Sequence, residues 1–380
     1  MSRKLFLHIG NHKTGTTSIQ ESLHRNRQYL SDQGYSAFNK LSDEKLLEHA
    51  NSNNWKIPTN ANNWLVFKEP AYPGDISSCI ADKEKFAAAV ASSGRNTIVS
   101  AENFSWSCSI EELQELRDAL AYYFDDISIV AYIRRQDQQA ISYQQQNSKN
   151  MSLPSRLKFF GSDPVALPDY QKHHDRYLDY NVRLGYWADV FGDKNIKIRV
   201  FDRKHLIDGD AVIDFFHVVG AKIHHVVESN ISRPFAAVKI GHLLNELSIT
   251  NHWVRSDLAK ALDYGDKMLP NRKQAETYYS HFRGSNITLN RRFQITDHPS
   301  LFGEDFSSYP EHRTDLWDEN RANEAIKRIL TLYSELADAT KLEDATDLST
   351  RHSTRYKFNK SLAKLKQNPR KYLLDKLGSR

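Results

Sequence analysis

The stretch Phe6–Gln20, FLHIGNHKTGTTSIQ, constrains this chain more than any other. An apolar run, Leu5–Ile9, leads into a loop bounded by Gly10 and Gly15, and the loop opens onto a segment with helical periodicity. Strand, glycine-bounded loop and helix in that order make the first part of a βαβ unit, which predicts an open parallel sheet covered by helices. The glycines have the spacing of a P-loop, G-x-x-x-x-G-K-[ST]. Thr16, however, stands where the lysine belongs, and a lysine occurs three residues earlier, at Lys13.

The rest of the chain repeats the alternation. Strand-like runs fall at 4–9, 35–39, 97–101, 127–133 and 196–200, rich in β-branched and apolar residues as buried parallel strands require. Helical patterns lie at 17–30, 110–124, 136–149, 176–191 and 210–219. The expected fold class is α/β: a P-loop-like three-layer fold with a central, mainly parallel five-stranded sheet flanked by helices, plus a helical C-terminal part. The expected organisation is an α/β core over about 1–220 with a loop-rich insertion at about 40–95, a helical region over about 221–342 and a basic tail at 343–380. Ligands of such sheets bind at the carboxyl ends of the strands, here Ile9, Ala101 and Ile133.

Charge and cysteine usage narrow the setting. The net charge of +5 hides an asymmetry: Arg351–Arg380 holds ten basic residues against Asp375, a net +9 that leaves the other 350 residues at −4. A basic tail of this kind suits an anionic partner such as a membrane surface, a polyanion or nucleic acid. Two cysteines, Cys79 and Cys108, cannot make a disulfide framework, and a reducing, cytoplasmic location is expected. No apolar run is long enough to span a bilayer, and the apolar core near Met1 is too short for a signal peptide.

Two constellations carry chemistry. In the first, successive amides of the Gly10–Thr17 loop and the dipole of the following helix make an anion-binding concavity, with hydroxyls from Thr14, Thr16 and Thr17 and a full charge from Lys13. A nucleoside triphosphatase would also need a metal-holding acid pair, and the strand ends offer one glutamate, Glu102, and arginines. The site suits an anion that reacts without Mg²⁺, and no metal is expected. In the second, Arg134 follows a buried strand and Ser142 lies eight residues on, so both can converge on one phosphate. Arg135 beside it reads as a surface or helix-capping residue. The ligand then has two separated anionic groups, the shape of a 3′,5′-bisphosphorylated nucleotide.

Here the sequence resembles the sulfotransferase superfamily, whose donor is 3′-phosphoadenosine 5′-phosphosulfate. HKTGTTSIQ is similar to its 5′-phosphosulfate loop, and YIRRQDQQAISYQQ to its 3′-phosphate motif. Together with IVSAENF, these segments look like bacterial sulfotransferases acting on carbohydrates. The resemblance implies that Lys13, Thr14, Gly15, Thr16, Thr17, Ser18, Arg134 and Ser142 bind the donor. Ser18 stands where some branches carry a tryptophan against the adenine, and His12 replaces a common proline.

The same resemblance implies in-line sulfuryl transfer, with Lys13 on the bridging oxygen of the leaving group. Glu102 is the first candidate for the base that takes the acceptor proton. Glu69, in an early insertion like one that carries a catalytic glutamate in carbohydrate sulfotransferases, is second, and His12 third. The implied acceptor is a carbohydrate, of the kind of a bacterial capsular polysaccharide, and no nucleic-acid partner is expected. The tail intersperses basic residues with Tyr356, Phe358, Leu362, Leu365 and Tyr372–Leu374, a pattern suited to an anionic membrane surface at the inner face. A P-loop kinase or ATPase and a non-catalytic nucleotide- or polysaccharide-binding protein remain the alternatives.

Overall fold

A computed structural model describes residues 2–39, 62, 82–149, 159–161, 163–227 and 233–346, the side chains of 339–346 excepted. Five strands form one sheet: β1 (Lys4–His8), β2 (Tyr35–Ala37), β3 (Asn96–Ser100), β4 (Asp126–Ile133) and β5 (Ile196–Val200). Their order is β2-β3-β1-β4-β5, and every adjacent pair is parallel. Leu7 of β1 is level with Val99 of β3 and with Ile129 of β4.

Alternation along each strand sends side chains to two apolar layers, because successive residues point to opposite faces. Leu5, Leu7, Val99, Ile129 and Ala131 face one core with Phe86, Leu113, Leu116, Leu184 and Trp187, contributed by helices Lys83–Ala91, Ile110–Ala121 and Tyr180–Phe191. Ile98, Val130 and Tyr132 face the other with Ile19, Leu23, Val212, Phe215 and Phe216, from helices Thr16–Arg25 and Ala211–Val219. The result is a three-layer α/β/α arrangement. Each buried leucine, isoleucine or valine contributes about 1.5–3 kcal/mol of transfer free energy.

The helix starts follow local chemistry. Asp82, Ser109, Asp179 and Asp210 each accept a backbone N–H from the first turn of the helix that follows. Helix Thr16–Arg25 differs: it begins on Gly15, with no side-chain cap and no acid in its first turn.

The chain divides into two compact units, Met1–Asn251 with Gly265–Leu316, and His252–Tyr264 with Trp317–Arg380. The first holds the sheet and helices Phe235–Glu246, Arg272–Ser280 and Arg283–Phe293. In the second, helices His252–Ala261 and Glu319–Thr346 pack together, and the Arg328 guanidinium lies 4.0 Å from the Tyr264 ring centre. Among the described residues no helix is long and apolar enough to cross a membrane.

Candidate anion-binding active site

The strand order decides where a ligand can sit. The chain leaves β1 toward β3 and leaves β4 toward β5, so the connections diverge above the β1/β4 pair. Such a point opens a crevice at the carboxyl ends. β1 and β4 keep pairing beyond Ile9: the Asn11 N–H donates to Tyr132 O at 2.8 Å and the Tyr132 N–H to Gly10 O at 2.7 Å. The Gly10–Gly15 loop and Arg134 therefore rise from neighbouring backbones.

The loop is built on left-handed residues: Gly10 has φ 88°, Lys13 65° and Gly15 81°. A methyl on Gly10 would lie 3.2 Å from Glu102 Cα, and one on Gly15 would lie 3.1 Å from Ala211 Cβ and 3.3 Å from Phe201 Cε2. Both glycines are thus demanded by conformation and by close approach. Lys13 takes the same region with a side chain, an uncommon arrangement that concentrates at functional sites. The uncapped first turn of helix Thr16–Arg25 presents its amide end and positive dipole to the same place.

The hydroxyls predicted to line the cradle have separate uses. Thr14 is fully buried and donates to Asn11 O at 2.6 Å, closing the loop on itself. The Thr16 hydroxyl donates to the Glu102 carboxylate. Thr17 is exposed on the first turn, and Ser18 is buried behind it.

Lys13 donates to Gln146 Oε1 at 3.3 Å. Burial holds its ammonium below the ordinary lysine value; the Glu102 carboxylate opposes that shift and the Arg134 guanidinium adds to it. The Lys13 ammonium thus feels both the Glu102 carboxylate and the Arg134 guanidinium. Glu102 opens a 3-10 turn, Glu102–Trp106, directly after β3. Ser105 Oγ donates to the Glu102 backbone carbonyl at 2.6 Å, and the Glu102 side chain accepts from Thr16.

Arg134 is half-buried at the end of β4, and burial lowers its guanidinium pKa. Its Nε donates to Gln138 Oε1 at 3.2 Å, its backbone carbonyl accepts from the Tyr180 hydroxyl at 2.8 Å, and its two Nη groups have no hydrogen-bond partner among the described residues. Ser142 lies one helical turn beyond Gln138, on the same face of helix Gln136–Asn147. Phe201 joins the two halves of the site. Its N–H donates to Ile133 O at 2.7 Å, and its ring lies against Gly15 and 5.8 Å from Arg134 Cζ. One aromatic ring therefore separates the cradle from the open guanidinium.

Arg135 requires a correction. It is buried, at 6% exposure, and neither lies at the surface nor caps the helix with its side chain. Both ends of its fork meet Asp137, at 2.8 and 3.0 Å, and its Nη1 donates to Gly303 O and Asp305 O. An isolated buried cation is costly, and this pairing removes the cost while fixing the 303–309 segment beside Arg134. His12 sits in an aromatic nest, its ring centre 5.7 Å from Tyr143 and 6.0 Å from both Trp106 and Tyr177. Glu69 lies outside the described residues, as does most of the 40–95 insertion.

Several residues of the site carry no motif. Arg183, from helix Tyr180–Phe191, is only 1% exposed and has no carboxylate partner among the described residues. It donates to the Asn11 side chain in the loop and to Ser105 O, 3.1 Å away, in the Glu102 turn. Gln139 donates to His12 O at 2.7 Å. The segment QDQQAISYQQQN held a signal for this: a helix so rich in glutamine, with Gln136, Gln139 and Gln144 fully buried, must spend those amides on neighbouring backbone.

No family model matches the chain. An uncharacterized protein of Archaeoglobus fulgidus is 26% identical over 219 residues, covering 55% of this chain and 56% of its own length, so the chain spans about half of the curated relative it matches. The crystal structure of a sulfotransferase from Alicyclobacillus acidocaldarius is similar over 78% of this chain and 98% of that one, with 13% identity and a TM-score of 0.41. A likeness that distant carries no inference about chemistry, which rests on the side chains of the β1/β4 crevice.

Proposed function

We propose that this protein is a sulfotransferase that moves a sulfuryl group from 3′-phosphoadenosine 5′-phosphosulfate to a hydroxyl of a carbohydrate, of the class of a bacterial capsular or exopolysaccharide. The observation that carries the reading is the pairing of an uncapped, lysine-bearing cradle with an open guanidinium across the single ring of Phe201. Two anion grips so close suit one nucleotide phosphorylated at both its 5′ and 3′ positions. The carbohydrate acceptor is supported by the resemblance of the loop, the Glu102 segment and the Arg134 segment to bacterial enzymes of that kind.

The donor supplies a sulfuryl group whose bridging S–O bond breaks as the acceptor O–S bond forms. Positioning and charge stabilisation carry such a transfer. Loop amides hold the 5′-phosphate, and Lys13 neutralises the charge that grows on its bridging oxygen. Arg134, with Ser142, holds the 3′-phosphate and separates this donor from ordinary adenylates. Glu102 takes the proton of the acceptor hydroxyl, and the Thr16 hydroxyl fixes the carboxylate in place. The basic tail docks the enzyme on an anionic membrane surface; flotation with phosphatidylglycerol vesicles, lost on truncation before Arg351, is the expected behaviour.

Calorimetry tests the donor assignment. Adenosine 3′,5′-bisphosphate should bind at least about tenfold tighter than adenosine 5′-monophosphate, in keeping with about 1.5–3 kcal/mol for a charge-assisted contact. Arg134→Ala should abolish the difference. Equal binding of the two nucleotides by the native protein would overturn the reading, and ATP binding that requires Mg²⁺ would favour a kinase.

A further inference from the structure

Helix Tyr180–Phe191 touches the ends of three strands. Its Tyr180 hydroxyl donates to Arg134 O, just after β4. Its Arg183 sends Nη2 to the Asn11 side chain, in the loop after β1, and Nη1 to Ser105 O, in the turn after β3. The helix itself is fixed, because Asp179 caps it and Leu184 and Trp187 are fully buried in the core.

Arg183 is a costly way to make two hydrogen bonds. Both acceptors are neutral oxygens, and no carboxylate among the described residues pairs with the guanidinium. The side chain is 1% exposed and lies between the rings of Tyr177 and Tyr180, 5.2 and 5.5 Å from their centres. Its Nε has no hydrogen-bond partner among the described residues. Stability alone disfavours a cation buried without a counter-ion. What arginine adds is a rigid planar fork that reaches two acceptors at once.

The fork completes a circuit. The Thr16 hydroxyl, at the end of the cradle, donates to the Glu102 carboxylate, and Ser105 Oγ donates to Glu102 O at 2.6 Å. Arg183 then returns from Ser105 O to Asn11, at the start of the same cradle. The turn that carries Glu102 is thereby tied to the loop at two places, by its carboxylate and by its backbone. The first tie fixes one point; the second fixes the direction from which the carboxylate approaches.

We infer that Arg183 is a positioning residue for the transfer: its fork holds the Glu102 turn in register with the cradle, so that the carboxylate reaches the acceptor hydroxyl while the donor lies in the loop. This rests on the sulfotransferase reading. A displacement of about 1 Å in such a group costs up to about 10²-fold in rate.

Transfer to water tests this without an identified glycan. A water oxygen bonds to sulfur, the bridging S–O bond breaks and Glu102 takes a water proton, leaving inorganic sulfate and adenosine 3′,5′-bisphosphate. The full chain is assayed for sulfate release at saturating 3′-phosphoadenosine 5′-phosphosulfate, and bisphosphate binding is read by calorimetry. Arg183→Lys keeps the charge and loses the fork. It should release sulfate at least about tenfold more slowly and bind the bisphosphate within about twofold of the native protein. In a Glu102→Gln background the residual release should fall by less than about twofold, because the group that Arg183 positions is gone. Ser105→Ala cuts the next link without leaving a charge unpaired, and should show the same split.

Native release rates in both variants would overturn the inference. So would an equal loss in both backgrounds, the mark of a purely structural arginine, or bisphosphate binding that weakens in step with the rate, which would make Arg183 a support of the donor cradle. If Arg183→Lys does not fold, Ser105→Ala decides between the same outcomes. A native protein that binds the bisphosphate yet releases no sulfate strikes the transferase reading instead, and one that binds no bisphosphate strikes the donor assignment.

Discussion

In the proposed transfer, Lys13 is the residue on which the chemistry turns. Its backbone is left-handed, its side chain is part-buried, and its ammonium feels the Glu102 carboxylate and the Arg134 guanidinium. Lys13→Ala should lower turnover by about 10²-fold or more, the usual effect of deleting a donor aimed at developing charge. The working form is the cation, so activity should fall as pH rises through the lowered lysine value, giving an alkaline limb below the ordinary 10.5. In Lys13→Arg any residual activity should lack that limb, and a pH profile checks both. Glu102→Gln should abolish transfer while bisphosphate binding stays within about twofold, since its amide can still accept from Thr16. Lost donor binding or a collapsed fold in that variant would mean that Glu102 holds the loop rather than the proton.

At the scale of elements, the cradle is a backbone device. Gly15→Ala forces a side chain into φ 81° and against Ala211 and Phe201. It should cost about 1–3 kcal/mol of stability and weaken the bisphosphate by more than tenfold, read by thermal melting and calorimetry. The five strands and the helices after β1, β3, β4 and β5 were legible because buried parallel strands and amphipathic helices write their own periodicity, whereas helix Lys83–Ala91 falls within the segment read as a loop-rich insertion. What distant contacts decide was not legible. The 17–30 helical pattern breaks at Asn26, whose side chain accepts the N–H groups of His224 and His225 and donates to Ser22 O. The 176–191 pattern breaks at Asp179, which caps the helix after it. Motif spacing brought out Lys13 and Arg134, but Phe201, Gln146 and Arg183 enter the site only through the topology. Arg135 was misread for the same reason, since its carbonyl partners lie about 170 residues downstream.

For the whole molecule, the buried histidines set the acid limit. His8, fully buried in β1, bonds Ser100 Oγ at 2.8 Å and packs against Tyr132 and Phe215. Burial pushes it down to about 3, and burial with His173 pushes His174 down to about 4. Both are neutral in the fold, while the unfolded chain takes up protons below the ordinary 6.5. Stability is therefore present above that value and lost as pH falls toward 4 and 3, by about 1.4 kcal/mol per pH unit for each neutral histidine. Melting temperature should drop across this window, and His8→Gln should flatten part of the drop.

Because β1 and β4 are hydrogen-bonded neighbours, the backbones from which the cradle and Arg134 rise stand one inter-strand step of about 4.8 Å apart. The chain between them, more than a hundred residues including the whole 40–95 excursion, has no say in that distance. Lengthening or rebuilding the intervening segment would therefore leave the spacing of those two backbones unaltered.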